Sequence, residues 1–209
     1  VGSAPVTNHW FKGYVDEVRI VKGTDTTNGA VYTSNFTVPT SRLTAITNTK
    51  LLIHSNTDGL DGGKFNLPKN THSSVNPQAY ALESASSSNV KFTGAKASYS
   101  FDGSNNSIRF NDIPVSTSAN SAVTIDFWCK GAGSSAQYLY DWRIDSGTQN
   151  GYMHFDSGGT VAVKTISDQT TSSTSSGKST TDWNHFVYVR DTSGNYNFFC
   201  NGTSFVNGT

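Results

Sequence analysis

The chain has 209 residues, with 15 basic and 15 acidic side chains and a formal net charge of zero. Charged residues make up 14% of it, against roughly 25% in an average soluble domain, whereas aromatic residues reach 12%. No stretch approaches the ~20 apolar residues of a membrane-spanning helix, and no basic excess is present to bind a phosphate backbone. We therefore expect neither a membrane span nor a nucleic-acid partner, and the aromatic content argues against a disordered chain.

Short segments of alternating apolar and polar residues predict β-strands along the whole chain. The first covers residues 10–22, and the clearest hairpin joins 185–190 to 196–203 through the sequence DTSGN. Further strands are predicted over 50–54, 90–101, 107–113, 122–130, 136–145 and 151–166. No segment has a convincing helical period, so the predicted fold is an all-β antiparallel β-sandwich or jelly roll with essentially no helix.

Three of the predicted strands are expected to be neighbours and to supply the core. Their inward-facing positions are predicted to be Phe127, Cys129, Val187, Val189, Phe198 and Cys200. In the strand near the start of the chain, the alternation places Val15, Glu17 and Arg19 on one face and Val18 and Ile20 on the other.

The two cysteines each end an apolar alternation. Cys129 follows Ile125 and Phe127, and Cys200 follows Tyr196 and Phe198. Neither belongs to a CxxC motif, which argues against a zinc site. Buried thiols are the favoured interpretation, and a disulfide is the alternative, which requires Cα atoms within about 7 Å of each other.

Three groups of motifs resemble laminin G-like modules of the concanavalin A-like lectin/glucanase superfamily, which occur in tandem in phage and other viral structural proteins and in bacterial surface proteins. The first is WFKGYVDEVRIVKG (10–23) with YTSNFTVPT (32–40), similar to the closing strand and tail of the family. The second is KLLIHSNTDG (50–59), similar to its opening strand. The third combines TIDFWCK (124–130), DWNHFVYVRD (182–191) and FFCNGT (198–203). The resemblance implies a concanavalin A-like sandwich.

The order of these motifs predicts a window cut out of phase from an array of repeats, because the closing motif precedes the opening one. Residues 1–43 are then the C-terminal part of one module, 44–49 a linker, and 50–209 most of the next module. A circularly permuted domain and donation of 1–43 to another chain are the alternatives. We expect the strand at 14–20 to pair outside residues 50–209, leaving a sheet edge that binds other copies or modules.

Catalysis by paired carboxylates is not expected. The glucanases of the superfamily carry an E-x-D-x-x-E strand, whereas this chain has only Glu17 and Glu83, and neither has a spaced acidic partner. No Gly-x-Ser-x-Gly motif accompanies the histidines, so His185 is interpreted as a hydrogen-bonded structural residue. We predict that the chain is not an enzyme.

Two sets of residues are candidates for binding. Tyr138, Tyr140 and Trp142 alternate along one strand and form either a sugar-stacking stripe or part of the core. The metal candidates are Asp58, Asp61 and Asp102, which lie in Asp-Gly turns that could supply oxygen ligands to calcium or be plain turns.

These observations lead to one functional hypothesis and two alternatives. The hypothesis is a non-enzymatic structural and adhesion module of a phage fibre or capsid-decorating appendage, on the virion surface or otherwise extracellular, with weak recognition of surface glycans. The alternatives are a carbohydrate-binding accessory module of a secreted bacterial protein and a purely architectural filament subunit. Further copies of the DEVRI-type strand in flanking sequence would favour the fibre module. An attached catalytic domain would favour the carbohydrate-binding accessory module.

Overall fold

The computed structural model describes residues 11–23, 29–53, 60–61, 64–65, 77–80, 85–86, 91–92, 98–103, 107–110, 122–131, 137–141, 152–155, 161–164, 170–173 and 182–208. All sixteen elements of this part of the chain are β-strands, as predicted for the fold class, and Gly29 alone has helical geometry. The strands are β1 (Lys12–Gly23), β2 (Thr49–Ile53), β3 (Leu60–Asp61), β4 (Lys64–Phe65), β5 (Pro77–Tyr80), β6 (Ala85–Ser86), β7 (Ser98–Asp102), β8 (Ser107–Phe110), β9 (Ala122–Lys130), β10 (Gln137–Asp141), β11 (Tyr152–Phe155), β12 (Val161–Lys164), β13 (Thr170–Ser173), β14 (Asn184–Arg190), β15 (Tyr196–Cys200) and β16 (Thr203–Gly208).

The largest sheet has eight strands in the order β16-β15-β14-β9-β1-β7-β6, with β2 also paired to β1. A second sheet contains β10 to β13 in chain order, and β3–β4 and β5–β8 form separate pairs. Every pairing is antiparallel. The neighbours expected from the sequence, β9, β14 and β15, are confirmed.

Strand β1 lies inside the large sheet and pairs within the chain. One of its edges pairs with β9, from Tyr14 opposite Lys130 to Gly23 opposite Ala122. Its other edge is shared by β7 and β2. The expectation that this strand pairs outside residues 50–209 is therefore wrong, and its partners are 49–53, 98–102 and 122–130. The assignment of 1–43 and 50–209 to two modules stays a prediction.

A β-bulge in β1 corrects the predicted faces of this strand. Asp16 lies opposite Trp128 and Arg19 opposite Asp126, so Glu17 and Val18 share the single position opposite Phe127. The backbone at Glu17 is left-handed, with φ of 53°. Because the extra residue shifts the alternation by one, Val18 joins the same face as Val15, and Arg19 moves to the opposite face.

The first face of the large sheet carries the main hydrophobic core. Its members from the central strands are Val15, Val18, Ile20, Ile125, Phe127, Cys129, Phe186, Tyr188, Phe198 and Cys200. Met153 of β11, which belongs to the four-stranded sheet, packs into the same cluster. Both cysteines are buried and form no disulfide, which agrees with the predicted thiols.

The second face is also buried, beneath a segment of chain. All six predicted core residues are buried, but Val187 and Val189 pack on this second face with Ala30, Ala122 and Phe199. Every residue of β14 is buried, so the apolar alternation of that strand did not identify its inward face. Residues 29–46, which we call the covering segment, supply the other side of this layer, with Tyr32 and Phe36 packed against the cluster.

Candidate functional site

Hydrogen bonds near residues 29–31 and at Phe36 fix the covering segment to the second face of the large sheet. The amide of Val31 donates to Thr124 Oγ1 at 2.9 Å, and the Thr124 hydroxyl donates to the carbonyl of Gly29 at 2.7 Å. Further along, the Phe36 amide donates to the carbonyl of Gly202 at 3.0 Å. A residue of β9 and the turn between β15 and β16 therefore hold this segment in one register.

A bidentate ion pair lies under the segment. Arg19 Nε donates to Asp126 Oδ1 at 3.1 Å and Arg19 Nη2 to Asp126 Oδ2 at 2.7 Å, with side-chain exposures of 6% and 0%. The same guanidinium donates through Nη1 to the carbonyl of Thr44 and through Nη2 to the hydroxyl of Tyr32, each at 3.1 Å. Arg19 thus links two neighbouring strands to two points of the covering segment.

The charges of this cluster reinforce one another. Burial lowers the pKa of Arg19, but the charge of Asp126 and the hydrogen bonds to Asp126 and Tyr32 raise it by a larger amount. The pKa of Arg19 therefore lies above its ordinary value. Burial and the carboxylate of Asp126 raise the pKa of Tyr32, against the opposing effect of Arg19. The arrangement therefore holds a cationic guanidinium beside a neutral phenol.

Glu17 forms a second anchor a short distance along β1. Its Oε1 accepts a hydrogen bond from Arg42 Nε at 2.8 Å, and its Oε2 accepts one from the Leu43 amide at 2.7 Å. The Glu17 side chain is fully buried, whereas that of Arg42 is 32% exposed. The bulge makes this contact available, because it turns Glu17 toward the covering segment.

His185 lies at the centre of an aromatic layer on the same face. Its ring stacks on Trp128 with centroids 4.9 Å apart, and the rings of Tyr32 and Phe36 meet it edge-on. Its Nε2 lies 3.7 Å from Asp126 Oδ2, and neither ring nitrogen has a hydrogen-bond partner among the described residues. Since the side chain is fully buried, its position is that of a structural residue, held by ring packing rather than by the hydrogen bonds that we expected.

A groove of about 360 Å³ opens beside this layer. It is lined on one side by Ala30, Tyr32 and Thr33, and on the other by residues of β14, the following turn, β15 and β16. Its polar side chains include Asn195, Asn197 and Asn207. Sequence reasoning did not select these asparagines, although Asn197 and Asn207 stand at polar positions of two adjacent strands.

The predicted aromatic stripe is described only in its backbone. Tyr138 and Tyr140 belong to β10, opposite His154 and Met153 respectively, with a register shift between the two tyrosines. Their side chains and the whole of Trp142 lie outside the described residues. Their role in binding a ligand stays a prediction.

The predicted calcium ligands are likewise described only in part. Asp58 lies outside the described residues, and Asp61 of β3 and Asp102 of β7 are described without their side chains. Within the described part of the chain, no group of three or more His, Cys, Asp or Glu residues could hold a metal ion. Calcium therefore stays a prediction on these three aspartates.

In the described ranges, no helix has the length and apolar character needed to cross a membrane. Comparison of the chain with protein-family models, with curated proteins and with solved structures gave no match.

Proposed function

We propose that the chain is a non-enzymatic structural and adhesion module of a viral fibre or capsid-decorating appendage, exposed on the virion surface or outside the cell, with weak glycan recognition. One observation carries this proposal: the residues that mark the resemblance contact one another inside the fold. Arg19 of DEVRI pairs with Asp126 of TIDFWCK, and Asn35 Oδ1 of YTSNFTVPT accepts a hydrogen bond at 2.9 Å from the Ser204 amide beside the NGT turn.

The finer architecture that we propose is a jelly-roll sandwich. In this arrangement the four-stranded sheet β10–β13 is the second layer, placed over the first face of the large sheet. Met153 supports this arrangement, because it comes from β11 and is 1% exposed within the core cluster of the large sheet. Two sheets that bury facing apolar surfaces are the usual solution for an all-β chain of this size.

The burial and pairing of two acidic side chains support a role without catalysis. Hydrolysis of a glycoside needs two carboxylates that can reach the substrate. Asp126 and Glu17 are instead fully buried and paired with Arg19 and Arg42. In this module the motif carboxylates fasten the covering segment to the sheet.

The test combines binding, hydrolysis and location. The chain is applied to a glycan array, and the bound glycans are then incubated with it and assayed for new reducing ends. We expect binding without release of sugar, and release would overturn the non-enzymatic role. Immunogold labelling of particles that carry the full-length protein tests the location, because label confined to cell envelopes would overturn the viral assignment.

A further inference from the structure

We propose that the groove beside Tyr32 is the site of glycan recognition and that it takes an uncharged saccharide of one or a few rings. This inference rests on the proposed adhesive function and gives it a location. The location differs from the Tyr138, Tyr140 and Trp142 stripe predicted from the sequence.

The strand register builds one wall of the groove as a row of side chains. Val189 lies opposite Asn197, and Asn197 lies opposite Asn207, so these three residues follow one another across β14, β15 and β16. Directly opposite residues place their Cβ atoms about 4.5–5.5 Å apart on the same face of an antiparallel sheet. Two amide groups are thereby presented side by side at the edge of the sheet.

The turn after β14 adds a third amide in a fixed position. Asp191 Oδ1 accepts hydrogen bonds from the amides of Ser193 and Asn195 at 2.8 and 2.9 Å. Asp191 Oδ2 accepts a hydrogen bond from Asn195 Nδ2 at 2.7 Å. The carboxylate is therefore engaged by the turn itself, and it orients Asn195 at the end of the groove.

The remaining hydrogen-bonding capacity suits hydroxyl groups. The oxygen Oδ1 of Asn197 accepts a bond from the Ser204 hydroxyl at 2.6 Å, which leaves its two amide hydrogens for a ligand. Asn207 is exposed and offers both a donor and an acceptor. A sugar hydroxyl both donates and accepts, so it can bond to either side of an amide.

The charge of the lining selects against ionic ligands. Among the described residues that line the groove there is no lysine or arginine, and the single carboxylate, Asp191, is already occupied. An anionic ligand would leave its charge without a partner, and a cationic one would compete with the turn amides for Asp191. A neutral polyhydroxyl ligand meets neither penalty.

Tyr32 supplies a preformed aromatic surface. Its ring stacks on Phe36 with centroids 3.9 Å apart, and its hydroxyl is held by Arg19 and lies 3.5 Å from Asp126 Oδ2. A ring fixed in this way loses little freedom when the apolar face of a sugar packs on it. At about 360 Å³ the groove lies near the lower end of the roughly 300–1,000 Å³ range of ligand pockets, which fits a short saccharide.

The test is a titration followed by two-dimensional NMR of backbone amides. The probes are methyl α-D-mannopyranoside, methyl β-D-galactopyranoside, N-acetylglucosamine and, as a charged comparison, glucose 6-phosphate. Asn207→Ala removes an exposed groove amide, and Thr203→Ala is the matched control because Thr203 is also exposed on β16 but does not line the groove. We expect shifts at Thr33, Asn195 and Asn207, an affinity about tenfold weaker in Asn207→Ala, and no change in Thr203→Ala.

Three results would overturn the proposal. Sugar-induced shifts in β10 with an unperturbed groove would place recognition on the tyrosine stripe and leave the adhesive function standing. Tighter binding of glucose 6-phosphate would contradict the neutral ligand. If no probe moves any groove resonance, the glycan site is refuted, while the structural role is still judged by the particle labelling.

Discussion

Asp126→Ala removes the acceptor of the buried bidentate pair and leaves Arg19 charged under the covering segment. The guanidinium keeps its bonds to Thr44 and Tyr32, but both of these acceptors are neutral. Loss of one partner of a buried ion pair destabilises proteins by about 3–5 kcal/mol, because the other charge stays buried without compensation. Because the two side chains are 6% and 0% exposed, screening by solvent does not reduce this figure much.

The double variant Arg19→Met, Asp126→Leu separates the cost of an orphaned charge from the value of the pair. Replacing a buried pair with apolar side chains of similar volume is often close to neutral. The double variant is therefore expected to be more stable than Asp126→Ala, with a small residual loss from the hydrogen bonds to Thr44 and Tyr32. Removal of about 3–5 kcal/mol from a total stability of roughly 5–15 kcal/mol leaves a measurable folded population in most of that range.

Urea unfolding followed by tryptophan fluorescence measures these free energies. Arg42→Ala is the internal comparison, because Arg42 is 32% exposed, so water can replace its guanidinium beside Glu17, which also keeps the bond from the Leu43 amide. We expect it to destabilise the chain by about 1 kcal/mol. The reasoning is refuted if Asp126→Ala is no more destabilising than Arg42→Ala, or if the double variant is no more stable than Asp126→Ala.

Three further predictions concern backbone, pH and thiols. Gly202→Ala and Gly194→Ala each strain a left-handed backbone, with φ of 80° and 90°, by about 1–2 kcal/mol. Only at Gly202 would the added Cβ also collide with the carbonyl of Phe36. Gly202→Ala should therefore unfold at a clearly lower urea concentration than Gly194→Ala. Burial raises the pKa of Tyr188 from 10.0 to about 12. The unfolded chain therefore releases a proton that the folded chain retains, and this tyrosine should lower stability by about 2 kcal/mol between pH 10 and 12, a contribution that Tyr188→Phe removes. Cys129 and Cys200 should react with a thiol reagent only in denaturant, and intact mass should exclude a disulfide.

The strands of the core were predictable because local patterns define them. Strands β9, β14 and β15 carry alternating apolar residues bounded by turn residues. The pairing of β14 with β15 follows from the hairpin, and that of β9 with β14 was expected from the resemblance of their motifs to paired strands. The face of each residue was less predictable. In β14 both faces are buried, so Phe186 and Val187 are equally apolar while packing on opposite sides.

Two features of the site depend on contacts that no local pattern contains. The bulge at Glu17 moves Arg19 to the second face of the sheet. The alternation of apolar and polar residues along a strand does not reveal such an inserted residue. Arg19 and Asp126 are 107 positions apart, so their pairing could not be read from spacing. Asp126 lies on the polar half of its alternation, which is typical of a solvent-facing residue, whereas the covering segment buries it.

The geometry around position 19 requires arginine rather than any cation. One guanidinium donates four hydrogen bonds in three directions, to Asp126 on the neighbouring strand, to Tyr32 near the start of the covering segment and to Thr44 near its end. A lysine ammonium has three donors on a single atom and cannot form the two parallel bonds to a carboxylate. The directional bonds of Arg19 therefore fix where the covering segment lies, and with it the position of Tyr32 beside the groove.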